Sequence, residues 1–541
     1  MSAQRVAGPG DDALVLPKGV FRFTGLGQWT EFTERYGMNT PGRATGSLEP
    51  LAFDFNVDSL GVRLFPSLTP IQTELRALTA IPTFSVSLGN SVMQLRDRIS
   101  AFPLGFEVGL WNRVMIGVTV PFIATHSNVF FNVNTAGNNG NIAFNPALSL
   151  PAAFNADTAL VAQFGRAAAQ LDASLAVCAG STSASCASIN ANRPAAQALV
   201  ASSTTFANGM SQLYTKEAFV PVVNTDAELA IEARIAAFKA QYQSFGVSAI
   251  TGSAPFAAQA RLTVTDAKKL LSNAAYGIVA DPLQSVHHSH FGDVDLSGKL
   301  LLIDTFGGNA GKRVAPSGVN FRFAVGGAVR FPTGQVENPD NFVDIGTGTG
   351  ATAVEGRAFT DILLGSHFWQ SAVVRLNHPI ADEQPLRITD RPDLVMPSLF
   401  RKQTVHRALG STLEFETSPR WVVNDLLSIS GHYFYRHKAQ DHYTGTFSIP
   451  AAVTGYGDVT LDASTLDLET EMTEQRYGGG IAFSNMYAYN QGKARIPLEV
   501  SFMHMQTTTG SGGNQPKYFI DQIQIRLYTR IFGARPRRTT P

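Results

Sequence analysis

Four histidines hold the densest metal-binding chemistry in the chain. His287, His288 and His290 precede Asp293 and Asp295, and His126 closes the segment read as their neighbouring strand. Imidazole with carboxylate suits a first-row metal. The spacing fixes no four-ligand set of the zinc kind, so the pattern reads rather as a solvated polar loop root beside a histidine-bearing rim, and no metal is assigned. Glu414 and Glu416 share one face of an alternating segment, with Arg407 on the other. Paired carboxylates can do acid–base work. Inside a barrel they set the polarity of the lumen, with Arg22, Arg322, Arg330, Arg526 and Arg530 as counter-charges. Of 42 basic side chains 31 are Arg, which favours paired, laterally bonded charges over solvated lysines. Gly346-Thr347-Gly348-Thr349-Gly350 has the composition of a phosphate cradle, yet it opens no helix and lacks dinucleotide spacing, so it reads as a flexible outer loop. Ser430 and His432 share a strand face, and His406 faces the inner side of a neighbouring strand. A hydrolase at a membrane rim needs a third residue, and none is evident. Neither a catalytic residue nor a cofactor is assigned.

The elements that position these residues follow from composition and pattern. The 541 residues carry 42 basic and 42 acidic side chains, which argues against nucleic acid as a partner. Charged residues make up 16%, against roughly 25% in ordinary soluble domains. Apolar runs break well short of the ~20 residues of a spanning helix. Two cysteines cannot staple a chain this long. A large soluble protein or a transmembrane β-barrel remains.

Strict alternation decides between them. In KYFIDQIQIRLYTRIFG, Phe519, Ile523, Ile525, Leu527 and Ile531 take one face, and Gln522, Gln524, Arg526 and Arg530 the other. GVNFRFAVGGAVRF and FGDVDLSGKLLLI repeat the design. These runs exceed the five or six residues of an average soluble strand and reach the nine to eleven that span a bilayer. Strands are expected near 19–33, 97–111, 113–127, 290–304, 318–331, 356–366, 367–378, 403–417, 420–437, 473–485, 493–506 and 517–532. Short turns near Trp111-Asn112-Arg113, Ser418-Pro419-Arg420 and Asn490-Gln491-Gly492 alternate with long connections at 35–95, 128–286, 332–356, 379–402, 439–471 and 507–516. Outer-membrane barrels show that asymmetry, and an even strand count returns both termini to the periplasmic side. Trp29, Trp111, Phe122, Trp421, Tyr433, Tyr435, Tyr528 and Phe532 gather near strand ends as an aromatic girdle would. The expectation is an all-β, transmembrane antiparallel up-and-down barrel of about twelve strands with a partly helical insertion.

The insertion, 128–286, is Ala-rich and helical in period, with Leu160, Phe164, Ala168 and Leu171 on one stripe and Leu229, Ala233 and Phe238 on another. Asp226 and Asp266 sit where helix caps belong. The Ser/Gly/Ala loop between Cys178 and Cys186 would allow a small disulfide, in keeping with an oxidising exported location; the alternative is two free thiols in a flexible loop. A connection this long implies a role: a cap, a plug in the lumen, or a binding surface. The sequence leaves those three open.

Several segments resemble a family of bacterial outer-membrane barrels of the phenol-degradation meta-pathway type, related in style to fatty-acid and aromatic-hydrocarbon channels. They are FEVGLWNRVMIGVTVPF, FGDVDLSGKLLLI, VGGAVRFPTGQVENP with IGTGTG after it, and the last hairpins. The resemblance covers about half the chain and implies passage of small, often apolar molecules through the outer membrane. The helical insertion and the tail past the last strand depart from it. The expected organisation is a periplasmic segment 1–18 following a removed signal, barrel 19–127, insertion 128–286, barrel 287–533 and tail 534–541. Expected partners are the lipid bilayer, a small solute and the barrel assembly machinery, with the oligomeric state open. The rival reading is a surface binding or adhesion protein in which the barrel anchors the insertion.

Overall fold

A computed structural model describes residues 11–37, 46–135, 139–305, 318–365, 367–391 and 394–530. Twelve antiparallel strands close on themselves. They are β1 (Val20–Tyr36), β2 (Ser91–Trp111), β3 (Val114–Val133), β4 in two pieces (Val286–Phe291 and Val294–Asp304), β5 (Val319–Phe331) and β6 (Ala353–Leu364). The second half holds β7 (Phe368–Pro379), β8 (Thr412–Val422), β9 (Leu427–Lys438), β10 (Met472–Ser484), β11 (Leu498–Gly512) and β12 (Pro516–Arg530). Each strand pairs with its neighbour in sequence, and β1 closes the ring by pairing both β2 (Phe23↔Phe106) and β12 (Phe23↔Leu527).

Period-two alternation sorts the faces. On β12, Phe519, Ile523, Ile525 and Leu527 are exposed on the outside, while Ile520, Gln522 and Gln524 are buried within. Leu104, Phe106, Ile116, Leu300, Val374, Ile429 and Phe502 continue the outer apolar surface around the ring. Such a band against water would be unusual for a soluble protein; against lipid it is the required surface. Trp111 and Trp421 are exposed near strand ends as a girdle requires, whereas exposed Trp29 and Phe122 fall within β1 and β3, away from their ends. Tyr528 turns inward, its hydroxyl donating to Glu499 Oε2 at 2.6 Å. Phe532 lies outside the described residues.

Several boundaries differ from the sequence reading. Residues Lys402–Ala408 leave the barrel and pair with Asp382–Arg387 and His442–Thr444 in a small sheet at the loop end. The expected turn at Ser418-Pro419-Arg420 is continuous strand, and the turn falls at 423–426. Pro419 has no N–H to donate, and it sits where the β8–β9 ladder lapses between Thr417↔Tyr433 and Arg420↔Ser430. The connection expected at 507–516 is a tight turn, because β11 runs to Gly512 and β12 starts at Pro516.

The loop end carries a helical cap. Residues 134–285 supply α2 (Pro151–Val177), α3 (Arg193–Lys216), α4 (Asp226–Ser244) and α5 (Val264–Ser272), and the connection after β1 adds α1 (Thr69–Thr79). Leu75 and Leu78 from α1 share one apolar core with Phe164, Leu171, Phe206, Leu213, Ile231 and Ile235. Phe206 lies 5.7 Å from Phe164 and 5.1 Å from Phe238, ring centre to ring centre. Burying each such ring contributes about 2–3 kcal/mol. The core runs down into Met93, Phe131 and Val133 at the upper ends of β2 and β3, so the cap is seated on those two long strands. On α4 the buried stripe is Ala227, Ile231, Ile235 and Phe238, leaving Leu229 exposed. Asp226 begins that helix without capping it, whereas Asp266 completes a capping box with Thr263. Cys178 and Cys186 are joined in a disulfide.

Candidate functional site

Inward-facing positions of neighbouring strands bring side chains of opposite charge within reach, and the barrel interior is built from such pairs. Arg375 on β7 is 1% exposed; its Nη2 donates to Glu416 at 2.9 Å on β8, and Nη1 lies 3.8 Å from Glu414. Arg436 on β9 continues the ladder to Glu414 at 2.9 Å and to Glu474 on β10 at 3.4 Å. Glu474 then meets Arg476 at 3.0 Å, and that guanidinium lies over the Phe434 ring at 3.8 Å. Across the ring Arg22 pairs with Glu107 at 2.5 Å, Arg330 with Asp295 at 2.9 Å, and Arg322 with Asp304 at 3.5 Å. Arg526 stands 4.0 Å from Glu499.

Arg22, Arg322, Arg330, Glu414 and Glu416 are buried or half-buried in these cross-strand pairs, and Arg526 lies on the same face of its strand as Gln522 and Gln524. Arg530 ends β12 and is exposed at the barrel mouth. The cross-strand partners Arg375, Arg436, Glu474 and Glu107 escaped the sequence reading, because pairing depends on register between strands. Arg407 belongs to the small sheet, where it binds Asp382 at 2.6 Å.

The segment expected outside the barrel at 1–18 is described from Asp11, and its residues 11–17 run inside the lower lumen. Ala13, Val15 and Leu16 are at most 2% exposed and pack against Met115, Leu301, Phe359 and Val373 from the inner wall. The Ala13 amide donates to Asp361 at 3.1 Å, and Lys299 Nζ donates to the Asp12 carbonyl at 2.8 Å. Asp11 accepts from Arg375 at 3.4 Å, so the segment ties into the charge ladder. A Cβ at Gly109 would fall 2.2 Å from the Pro17 carbonyl, which is why only glycine serves there.

The wall is interrupted on β4. Pairing with β3 passes from the upper piece (Phe122↔Phe291) to the lower piece (Thr119↔Asp295), and Gly292-Asp293 between them leaves the ladder. The Gly-Thr repeat at 346–350, expected as a flexible loop, is largely buried against this break. Asp293 accepts from the amides of Gly334 and Thr349, each at 3.0 Å, and Thr347 Oγ1 donates to the Phe291 carbonyl at 2.9 Å. A carboxylate thus fills the amide-lined hollow that composition alone assigns to phosphate. Irregular backbone from 332–352 completes the wall beside the upper piece of β4.

The histidines divide between faces. His126 and His287 are direct cross-strand partners on the outside, with ring centres 5.6 Å apart. His288 points inward to Asp344 at 3.1 Å, and His290 shares its face. Among the described residues no three metal-ligating side chains converge. His432 also faces inward, accepting or donating to Ser430 at 2.8 Å and Ser418 at 2.9 Å. No carboxylate is hydrogen-bonded to that ring among the described residues. His406 lies in the small sheet, opposite Glu383.

In the cap, Asp157 is 1% exposed and accepts from the Phe256 amide at 2.6 Å through Oδ1. Burial raises its pKa to about 6 against that hydrogen bond.

These features define a transmembrane β-barrel of twelve strands with a polar, ion-paired interior and a helical cap. No family model and no curated protein matches the sequence. Among solved structures the chain is similar to an outer membrane channel from Pseudomonas putida F1, at 9% identity over 97% of this chain and 100% of that one, with a TM-score of 0.40. It is also similar to the monoaromatic hydrocarbon channel CymD, at 6% identity over 95% and 90% with a TM-score of 0.26. The P. putida toluene transporter TodX follows at 9% identity over 96% and 92%, with a TM-score of 0.21. At these scores the likenesses fix neither family nor solute, and the fold assignment rests on the strand register.

Proposed function

We propose that this chain is an outer-membrane channel for passive or facilitated diffusion of small apolar or aromatic solutes. The observation that carries this reading is the interior. Arg–carboxylate pairs line much of it, and an apolar cluster fills its lower end where a segment, 11–17, that belongs to no strand packs against the wall. A barrel serving only as an anchor needs neither feature. The ladder narrows the path and resists ions of either sign, since displacing one partner strands the other in a buried site. For an apolar solute the interruption at Gly292-Asp293 is the candidate lateral exit once residues 332–352 move aside, flanked outside by Phe122 and Phe291, whose rings meet edge to face at 6.0 Å. The solute class follows the sequence resemblance, with a phenol-type compound as its narrowest form.

Uptake of a labelled monoaromatic compound by cells with a lipopolysaccharide outer leaflet tests the reading. Cells making the protein should accumulate it faster than cells without it, while a sugar of similar size gains nothing. Equal rates for the aromatic compound would overturn the proposal.

A second reading has its own support. The cap has a complete apolar core and a disulfide, as a surface-binding module would. Removing residues 134–285 separates the two: solute entry should survive or increase in a channel, whereas an anchored binding protein loses binding alone.

A further inference from the structure

We propose that the outer face of β1–β4, at the loop end, docks the phosphorylated headgroup of lipid A, the anionic glycolipid of the outer leaflet. The proposal rests on the outer-membrane reading above. Strand register places Glu31, Arg98, His126 and His287 in one row around the outside, each directly opposite the next. Arg96 stands two residues above Arg98 on the same face. Glu31 meets Arg96 Nε at 3.1 Å and Arg98 Nε at 2.6 Å, so one carboxylate is shared by two guanidiniums and the row keeps a net positive charge. Both arginine side chains stay half exposed, at 51% and 50%.

Depth is set by the residues beneath. Four positions further down β2, β3 and β4 come Phe102, Phe122 and Phe291, all exposed and about 13 Å further along the tilted strands, which is about 10 Å closer to mid-membrane. Trp29 packs edge-on against Phe102 at 6.0 Å and marks the interface between them. The cationic row therefore lies at headgroup depth on the cap side. Adjacent strands are about 4.8 Å apart, so guanidinium and the two imidazoles span roughly 10 Å, the breadth of a sugar phosphate. Guanidinium suits phosphate because its planar fork donates two parallel hydrogen bonds. Elsewhere on the perimeter the outward residues at the loop ends of β6–β10 are Val354, His378, Leu413, His437 and Thr473, and those positions bear no guanidinium. Guanidinium charge thus distinguishes the β1–β4 sector from β6–β10.

The test measures binding of bisphosphorylated lipid A to the folded full chain in detergent, by native mass spectrometry. Lipid A stripped of phosphate and phosphatidylglycerol serve as the other probes. The wild-type protein should retain bisphosphorylated lipid A alone, and R96Q/R98Q should weaken it by about tenfold or more, as loss of a charge-assisted hydrogen bond implies. H126Q/H287Q should weaken it less. Equal retention of all three lipids by the wild-type chain overturns the proposal without any variant. So does unchanged affinity in R96Q/R98Q that still runs as a folded, heat-modifiable barrel. Aromatic uptake measured on the same variants keeps the two readings apart, since a failed channel leaves lipid A binding intact and failed binding leaves uptake intact.

Discussion

Arg375 shows how tightly the interior depends on pairing. It is held between Glu416, Glu414 and Asp11; removing it takes the 2.9 Å partner from buried Glu416, while Glu414 keeps Arg436 and Asp11 keeps Lys299. R375M should lower barrel stability by about 3–5 kcal/mol, the usual cost of breaking a buried pair from one side; urea titration followed by gel mobility measures it. Asp157 predicts the opposite sign for a charge. Its folded pKa, about 6, lies above the ordinary carboxylate value, so the fold favours the protonated form. That contribution is full below about pH 4 and is lost as pH rises toward 6. Hydrogen exchange in α2 should therefore speed up across that window, and D157N should flatten the dependence while keeping the bond from the Phe256 amide. Residues such as Glu414 and Arg526 were legible in the sequence because alternation sorts a strand into two faces. Their partners were not, because a one-residue change of register exchanges faces, and nothing in Glu474 alone points to Arg436.

Among the elements, β4 carries the clearest consequence. Asp293 holds two amides from residues 332–352 against the gap in the wall. D293A leaves those donors unpaired, at a cost of about 1–3 kcal/mol, and should loosen the wall there. The expected outcome is faster aromatic uptake with an intact barrel, read from the same uptake assay; slower or unchanged uptake would remove β4 from the path. The disulfide between Cys178 and Cys186 closes a short loop after α2. C178S/C186S should cost the cap about 2–3 kcal/mol, seen as faster exchange near the end of α2 with uptake unchanged. Strands with unbroken alternation, β5 and β12 above all, were foreseen nearly to their ends. The strand β8 was misplaced because Pro419 reads as a turn, and only the lapse in its ladder admits it. The Gly-Thr repeat misled for a related reason, since composition shows freedom to bend and omits the carboxylate that fixes the bend.

At the scale of the whole molecule, barrel, cap and inner segment do different work. The cap rests on β2 and β3 and gathers helices from two separate connections, which no single stretch of sequence announces. The inner segment was hidden for a simpler reason: Ala13-Leu14-Val15-Leu16 is too short to show a period and becomes meaningful only when Phe359 and Val373 face it. Its position supplies the most direct test of the account, which holds that the barrel encloses a path closed from below. Single-channel conductance should be compared in a planar bilayer for the full chain and for a chain lacking residues 1–17. The account predicts small, infrequent current steps for the full chain and larger, sustained ones once the segment is removed. Silence from both folded proteins would contradict it and leave the barrel as an anchor for its cap.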